Sequence, residues 1–184
     1  MNFINNLKIF NKLRLMLILP LTCLLYFSLT GIWEKHRIAG EMNSLKELSG
    51  LAVKISSLVH ELQKERGSTS LFIGSQGKDF ISELSQQRAE TDKRTADLQS
   101  LLKGFNSDSF GVEFKGGLDN ALKNLDNIKS RRDSASALKV SAAEIIEYYT
   151  NTINSFLDVT AYIPRLSAHA EISAMTSSYV NFIL

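Results

Sequence analysis

The sequence has one cysteine and two prolines among its 184 residues, and the shortage of metal-binding side chains excludes several classes of site. A single cysteine, Cys23, cannot form a disulfide within the chain or a cysteine-based metal site. The three histidines, His36, His60 and His169, have no second ligand at a useful helical spacing. We therefore predict no metal site and no cofactor.

Strong charge and catalytic motifs are also missing. The formal net charge is only +2, whereas a nucleic-acid partner would require a concentrated basic face. The sequence contains no nucleophile-and-base arrangement, glycine-rich phosphate loop or paired-carboxylate spacing. We therefore predict that the protein is not an enzyme. Its polar stretches favour Leu, Ala, Ser, Lys, Glu and Gln, which is typical of an all-α fold.

An uncharged stretch of nineteen residues, 15–33, reads LMLILPLTCLLYFSLTGIW. A helix needs about 20 apolar residues to cross a hydrocarbon core of ~30 Å. The stretch is longer than the apolar region of a signal peptide, usually about 7–15 residues, and ends without a small-residue cleavage site. It predicts a transmembrane helix, with a cleaved signal peptide as the alternative.

The charges on either side of this stretch predict its orientation. Basic residues precede it at Lys8, Lys12 and Arg14, and residues 1–14 contain no acid. The charges that follow it are mixed in sign. By the positive-inside rule, the N-terminus is cytoplasmic and residues 34–184 lie across the membrane. In a bacterium with two membranes, this arrangement predicts a single-pass inner-membrane protein with a periplasmic domain.

Apolar residues at spacings of three and four run from Ile38 to Leu62 and indicate a long amphipathic helix that continues from the span. A turn follows at Gly74–Gly77, and a second helix covers about Lys78–Lys103. These features predict an N-terminal transmembrane helix that continues into an antiparallel helical bundle.

The second half of the chain is predicted to contain a loop and two further helices. Residues 104–117 include four glycines and predict the loop. A third helix begins near Leu118, and a fourth begins at a capping box formed by Ser141 and Glu144. Pro164 is expected to break or kink the fourth helix. The chain stops at an apolar residue without a helix stop signal, so we expect it to be part of a longer protein.

Arg66 occupies the next place on the apolar stripe, four residues after Leu62. Helix neighbours three and four positions away offer it no counter-charge, and an unpaired buried charge is unfavourable. An acid from another helix, a bound anion or an exit to solvent would resolve the conflict. Gly67 leaves space beside the guanidinium and Thr69 adds a hydroxyl, which suits a flat oxyanion.

Two segments carry a resemblance to a known family. Residues 58–92, LVHELQKERGSTSLFIGSQGKDFISELSQQRAETD, contain a Glu-Arg-Gly step and a Gln-Arg-x-x-Thr-Asp pattern. Residues 141–159, SAAEIIEYYTNTINSFLDV, contain a Glu-x-x-x-Tyr-Tyr-Thr pattern. Both segments, in this order, resemble the nitrate- and nitrite-sensing (NIT) domain family.

The resemblance implies an all-helical sensor that binds nitrate or nitrite through arginines. Such sensors are found in chemoreceptors, histidine kinases and cyclases, and as cytoplasmic regulators. Arg66 matches the arginine of the opening motif, with Gly67 and Thr69 beside it. The second arginine would correspond to Arg132, with Arg131 as the alternative. The family's Glu-Arg-Ala motif is absent here, so the sensor domain is expected to be incomplete at its C-terminus.

Three hypotheses follow. The chain is the extracytoplasmic sensor of a signal-transduction receptor such as a chemotaxis receptor, a homodimer that pairs along residues 38–55. Alternatively, it is a structural bundle that tethers a membrane protein, or a four-helix chemoreceptor-type sensor for another small ligand. At the level of single residues, Arg88 is expected to be solvated or paired with an acid of its own helix, Asp92 being its i, i+4 partner. Tyr149 is expected to pack in the core.

Overall fold

The computed structural model describes the backbone of residues 9–183 and the side chains of residues 9–166 apart from 11, 12 and 15. Within these residues the chain is helical and contains no strand, so the all-α prediction is confirmed. Residues 1–8, most of the predicted cytoplasmic N-terminus, and the terminal Leu184 lie outside the described residues. The helices are α1 (Ile9–Gly74), α2 (Ile81–Leu102), a short 3-10 helix (Ser107–Phe110), α3 (Val112–Asp126), α4 (Ile128–Ser136) and α5 (Ala142–Ile183).

The part of α1 that precedes residue 45 belongs to a separate compact unit. Its large apolar side chains are exposed, with Trp33 at 84%. Within the described part of the chain, α1 is the helix long and apolar enough to cross a membrane. The hydroxyls of Thr22 and Thr30 donate to backbone carbonyls one turn earlier, at 2.9 and 3.0 Å. A helix that crosses lipid must satisfy its polar groups by hydrogen bonds within the helix, and these two threonines do so. Helix α1 is therefore a candidate membrane span.

The second unit, residues 45–184, is a helical bundle around one apolar core. Helices α1 and α2 are antiparallel, because Lys54 contacts Asp97 whereas Gln87 contacts Glu61 further along α1. Helices α3 and α5 are also antiparallel. Tyr148 near the start of α5 donates to the Asn124 carbonyl near the end of α3, at 2.9 Å. The predicted antiparallel bundle is confirmed.

Two local predictions are confirmed at the helix boundaries. After α1 the chain turns through Gln76 and Gly77, whose φ angles are 57° and 73°. At the start of α5, the Ser141 amide donates to Glu144 Oε2 at 2.7 Å, and the Glu144 amide donates to Ser141 Oγ at 3.2 Å. This reciprocal pair is the predicted capping box, and it explains why α5 begins at Ala142.

Other boundaries differ from the prediction. The loop predicted over 104–117 is shorter, because α3 begins at Val112 and buries Phe114, which is only 1% exposed. Phe105, Phe110 and Phe114 contact one another with ring centroids 5.2–6.1 Å apart, and this aromatic cluster orders the segment.

Helix α5 continues past Pro164, so the predicted break is wrong, whereas the alternative of a kink stays a prediction. A proline removes one backbone hydrogen bond, but the turns on either side can keep theirs.

Candidate functional site

The buried polar position near the end of α1 belongs to Glu65, not to Arg66. The inward positions of α1 alternate in steps of three and four, and all of them are buried: 48, 51, 55, 58, 62, 65 and 69. This heptad pattern places Glu65, three residues after Leu62, inside the bundle with 0% exposure. Arg66 lies beside the buried stripe and is half-buried. The prediction that Arg66 occupies the core position is therefore corrected.

Arg132, on α4, forms a two-pronged salt bridge with Glu65. Its Nε donates to Glu65 Oε1 at 2.7 Å and its Nη2 donates to Oε2 at 2.9 Å. The third nitrogen, Nη1, donates to Asp92 Oδ1 at 2.6 Å. Because the Arg132 side chain is only 12% exposed, this geometry compensates its charge almost entirely within the protein.

Two further residues complete this group. Tyr149, on α5, donates its hydroxyl to Glu65 Oε1 at 2.6 Å. Arg88, on α2, lies 4.0 Å from the same oxygen and donates to the Arg132 carbonyl at 3.3 Å. Helices α1, α2, α4 and α5 therefore meet at one carboxylate. We call Glu65, Arg88, Asp92, Arg132 and Tyr149 the Glu65 cluster; its two carboxylates balance its two guanidinium groups.

The cluster changes two earlier predictions. The i, i+4 pair between Arg88 and Asp92 is not found among the contacts of the described residues, because Asp92 pairs with Arg132 on another helix. Tyr149 is buried as predicted, at 0% exposure. It also has a polar role, because its hydroxyl is one of the groups that satisfy Glu65.

The surroundings of two members of the cluster, Arg132 and Tyr149, shift their pKa values. Burial by itself lowers the pKa of Arg132, but the hydrogen bonds and charges of Glu65 and Asp92 outweigh burial and raise that pKa above its ordinary value. Burial and the negative charge of Glu65 raise the pKa of Tyr149. Arg132 therefore stays charged, and Tyr149 stays a neutral hydrogen-bond donor.

Arg66 has quite different surroundings. Its Nη1 donates to the hydroxyl of Thr150 on α5 at 2.9 Å. It forms no salt bridge with any residue that the structure describes. Thr150 is the last residue of the Tyr-Tyr-Thr pattern, directly after Tyr149. A guanidinium has five N–H donors, so the contact with Thr150 leaves Arg66 able to bind an oxyanion as well.

Two other predicted site residues lie on the same stretch of α1. Thr69 is 0% exposed, and its Oγ1 has no well-formed hydrogen bond among the described residues, although it lies close enough to the Tyr149 hydroxyl to oppose the rise in the pKa of Tyr149. Buried hydroxyls are usually hydrogen-bonded, so this one is an exception that needs an explanation. A methyl group built on the exposed Gly67 would meet no atom within 4 Å. The structure therefore leaves open space beside the Arg66 backbone.

The two candidates for the second arginine point to different places. Arg132 binds Glu65, the residue just before Arg66, whereas the guanidinium of Arg131 lies 5.5 Å from the ring centroid of Tyr148. Sequence reasoning missed Glu65 as a site residue. The sequence did contain an indication of this role, because Glu65 is the glutamate of the Glu-Arg-Gly step and lies on the heptad of α1.

Comparison with known proteins identifies the fold and the family. A family profile described as nitrate and nitrite sensing (NIT) matches residues 57–184. No curated protein matches the sequence. Among solved structures, the fold is similar to that of the NasR transcription antiterminator, with a TM-score of 0.68 and 19% sequence identity. That match covers 79% of this chain and 38% of the antiterminator chain, so the likeness extends over less than half of the longer protein.

The profile covers more than half of the chain, and the residues it matches include both the Glu65 cluster and Arg66. The chain belongs to the nitrate and nitrite sensing (NIT) family.

Proposed function

We propose that the chain is the extracytoplasmic sensor module of a membrane-bound signal-transduction receptor and that Arg66 binds nitrate or nitrite. The observation that carries this proposal is the pairing of Arg66. It is half-buried, its side-chain partner is the neutral hydroxyl of Thr150, and no carboxylate within the described residues neutralises it. In a family of nitrate and nitrite sensors, such a cation is the strongest candidate for binding the anion.

A small planar oxyanion suits the groups around Arg66. The flat guanidinium presents parallel N–H donors that match two oxygens of nitrate or nitrite. The Thr150 hydroxyl already lies within hydrogen-bond distance of Arg66. The Thr69 hydroxyl, one helical turn further along α1, is buried beside Tyr149 without a well-formed hydrogen bond in the described residues, and we propose it as a further donor. Gly67 leaves room for the anion to approach.

In this proposal Arg132 has a positioning role. All three of its nitrogens donate to carboxylate or carbonyl oxygens, so an anion that reached Arg132 would have to displace Glu65 or Asp92. By holding Glu65, Arg132 fixes the turn of α1 that carries Arg66. Arg131 stays an alternative for direct contact with the anion.

Signalling would follow from the contact between α1 and α5. If the anion replaces the hydrogen bond between Arg66 and Thr150, it favours a different arrangement of these helices, and its binding energy shifts the population between the two arrangements. Helix α1 also contains the apolar stretch 15–33, and the basic residues before that stretch support a cytoplasmic N-terminus. A displacement of α1 would then carry the signal to a cytoplasmic output such as that of a chemotaxis receptor.

A homodimer remains part of the proposal, but its seam is shorter than the sequence suggested. Leu48, Leu51 and Ile55 are buried in the chain's own core, with at most 2% exposure. Ile38 and Met42 are 46% and 62% exposed, and they are the part of the stripe available to a second copy.

Calorimetric titration of the full 184-residue chain in lipid nanodiscs with sodium nitrate tests the proposal. We expect saturable binding that sodium chloride does not reproduce. Arg66→Gln removes a charge-assisted interaction of about 1.5–3 kcal/mol, so nitrate binding should weaken about tenfold or more. Arg94→Gln is the matched control, because Arg94 lies on α2 and pairs with Asp97 at 3.6 Å. Unchanged binding in Arg66→Gln would contradict the proposal. No binding by this chain, and none by a version extended past Leu184, would favour the tether hypothesis instead.

A further inference from the structure

We propose that a polar cleft between α3, α4 and α5 is a second binding site and that it takes a small zwitterion of the amino acid class. The cleft has a volume of about 410 Å³, and its walls include Asn124, Arg131, Glu144, Glu147, Tyr148 and Asn151. We call it the Arg131 cleft. None of these residues belongs to the Glu65 cluster or contacts Arg66. The proposal shares only Arg131 with the nitrate proposal, where Arg131 is the alternative second arginine.

The size of the cleft and its walls indicate a polar organic ligand. Small-molecule sites usually enclose about 300–1,000 Å³, and the Arg131 cleft falls in this range. It is much larger than one nitrate ion requires. Most such sites are lined by apolar side chains, whereas this one is lined by amides, hydroxyls and charged groups. An apolar ligand would have little surface to bury here.

The charges in the cleft favour a molecule that carries both signs. Arg131 contributes a cation from α4, and Glu144 and Glu147 contribute carboxylates from α5. A simple anion would meet one guanidinium and two repelling carboxylates, and a simple cation would pair with a carboxylate but leave Arg131 without a partner. A zwitterion can place its carboxylate against Arg131 and its ammonium group against an acid, so each charge meets its complement.

The internal contacts of the cleft show which acid is available. Glu144 accepts hydrogen bonds from the Ser141 amide and hydroxyl at 2.7 and 2.8 Å, as part of the capping box. Glu147 forms no salt bridge within the described part of the chain. The ammonium group of a ligand would therefore meet Glu147.

The cation of the cleft is held in place without losing its donors. The guanidinium of Arg131 lies over the Tyr148 ring, 5.5 Å from its centroid, and this cation–π contact leaves the N–H groups free to donate. The Tyr148 hydroxyl is fixed by its bond to the Asn124 carbonyl. The ligand carboxylate can then accept two parallel hydrogen bonds from Arg131, in the geometry that guanidinium and carboxylate groups prefer.

The test is calorimetric titration of the full chain in nanodiscs with each of the common L-amino acids. Sodium acetate and methylammonium chloride, which carry one charge each, serve as ligand controls. We expect at least one amino acid to bind saturably at millimolar concentration or below, and neither single-charge control to bind. Arg131→Gln and Glu147→Gln should each weaken this binding about tenfold or more, because each removes one charge-assisted contact.

Control substitutions separate a lost contact from a general effect. Lys129→Gln removes an exposed cation from α4, and Asp158→Asn removes an exposed acid from α5; neither residue lines the cleft. Both should leave amino acid binding unchanged. Arg131 and Glu147 are exposed, so all four variants should unfold at the temperature of the unmodified chain.

Three results would each overturn the proposal: no binding of any amino acid, equal binding of acetate or methylammonium, or binding that survives both Arg131→Gln and Glu147→Gln. A nitrate titration of Arg131→Gln in the same nanodiscs keeps the two sites apart. Nitrate binding that persists while amino acid binding is lost would assign the two ligands to different places.

Discussion

The surroundings of Arg132 and those of Arg66 differ in how each positive charge is balanced. Arg132 donates to two carboxylates and is 12% exposed. Arg66 donates to one neutral hydroxyl and has no carboxylate partner in the described residues. A buried arginine with its charge compensated by protein is a structural element, because removing either partner is unfavourable. A half-buried arginine without such compensation still has capacity to bind an anion from solution.

The comparison also shows how close a structural and a ligand-binding residue can lie. Glu65 and Arg66 are neighbours on α1, and their partners Tyr149 and Thr150 are neighbours on α5. Consecutive residues on a helix point about 100° apart, so one contact lies inside the bundle and the other at its edge. The Glu65 cluster can therefore hold the two helices in place while the Arg66 contact responds to a ligand.

The largest effect should come from removing the buried carboxylate. Glu65→Gln leaves Arg132 in the bundle without its two-pronged partner, and breaking a buried ion pair costs about 3–5 kcal/mol in the free energy of unfolding. Chemical denaturation of the full chain in nanodiscs, followed by circular dichroism, measures this loss. Glu90→Gln on α2 is the control and should change the free energy by less than about 1 kcal/mol. If Glu65→Gln and Glu90→Gln lowered the free energy of unfolding equally, Glu65 would contribute no more to stability than an ordinary acidic residue.

A smaller loss is expected at Tyr149. Its hydroxyl donates to a charged oxygen, and such hydrogen bonds contribute about 1.5–3 kcal/mol. Tyr149→Phe should therefore lower the free energy of unfolding by that amount under the same denaturation. Tyr148→Phe is a matched control, because the Tyr148 hydroxyl donates to a neutral backbone carbonyl and its loss should cost only about 0.5–1.5 kcal/mol. The reverse order would mean that Glu65 does not depend on Tyr149.

The smallest effect on stability should be a gain at Gly67. Because a methyl group there meets no atom within 4 Å, Gly67→Ala should raise the free energy of unfolding by up to about 1 kcal/mol through helix propensity. If the anion lies over Gly67, the same methyl group should weaken nitrate binding in a calorimetric titration. Higher stability together with weaker nitrate binding would show that the methyl group blocks the site and does not damage the fold.

Gly116→Ala on α3 is the matched control for Gly67→Ala. A methyl group at Gly116 also meets no atom within 4 Å. It should stabilise the chain to a similar extent and leave nitrate binding unchanged. If Gly67→Ala and Gly116→Ala affected nitrate equally, Gly67 would have no special place in the site.

Much of the fold could be predicted because its signals are local. The heptad of α1, the turn after Gly74 and the capping box at Ser141 each depend on residues a few positions apart. The segment 104–117 could not be predicted in the same way. Its glycines indicate a loop, but the mutual packing of Phe105, Phe110 and Phe114 orders part of it and starts α3 earlier.

The site was only partly predictable for the same reason. A step of three and a step of four from Leu62 are equally good helical spacings, and only the packed bundle decides that Glu65 is the inward residue. Arg132 finds Glu65 and Asp92 at separations of 67 and 40 positions in the sequence. Local pattern cannot reveal such partners. Arg66 could be singled out because its own helix offers it no counter-charge.

The most direct test of the contrast between the two arginines is a nitrate titration followed by NMR of the arginine side chains. The full chain, labelled with ¹⁵N-arginine and placed in nanodiscs, gives separate Nε–H resonances that substitution at each arginine assigns. We predict that the Arg66 resonance moves and saturates with nitrate, while the Arg132 resonance stays in place because Glu65 and Asp92 hold it. Movement of Arg132 with Arg66 unchanged would contradict the account and make Arg132 the nitrate-binding residue.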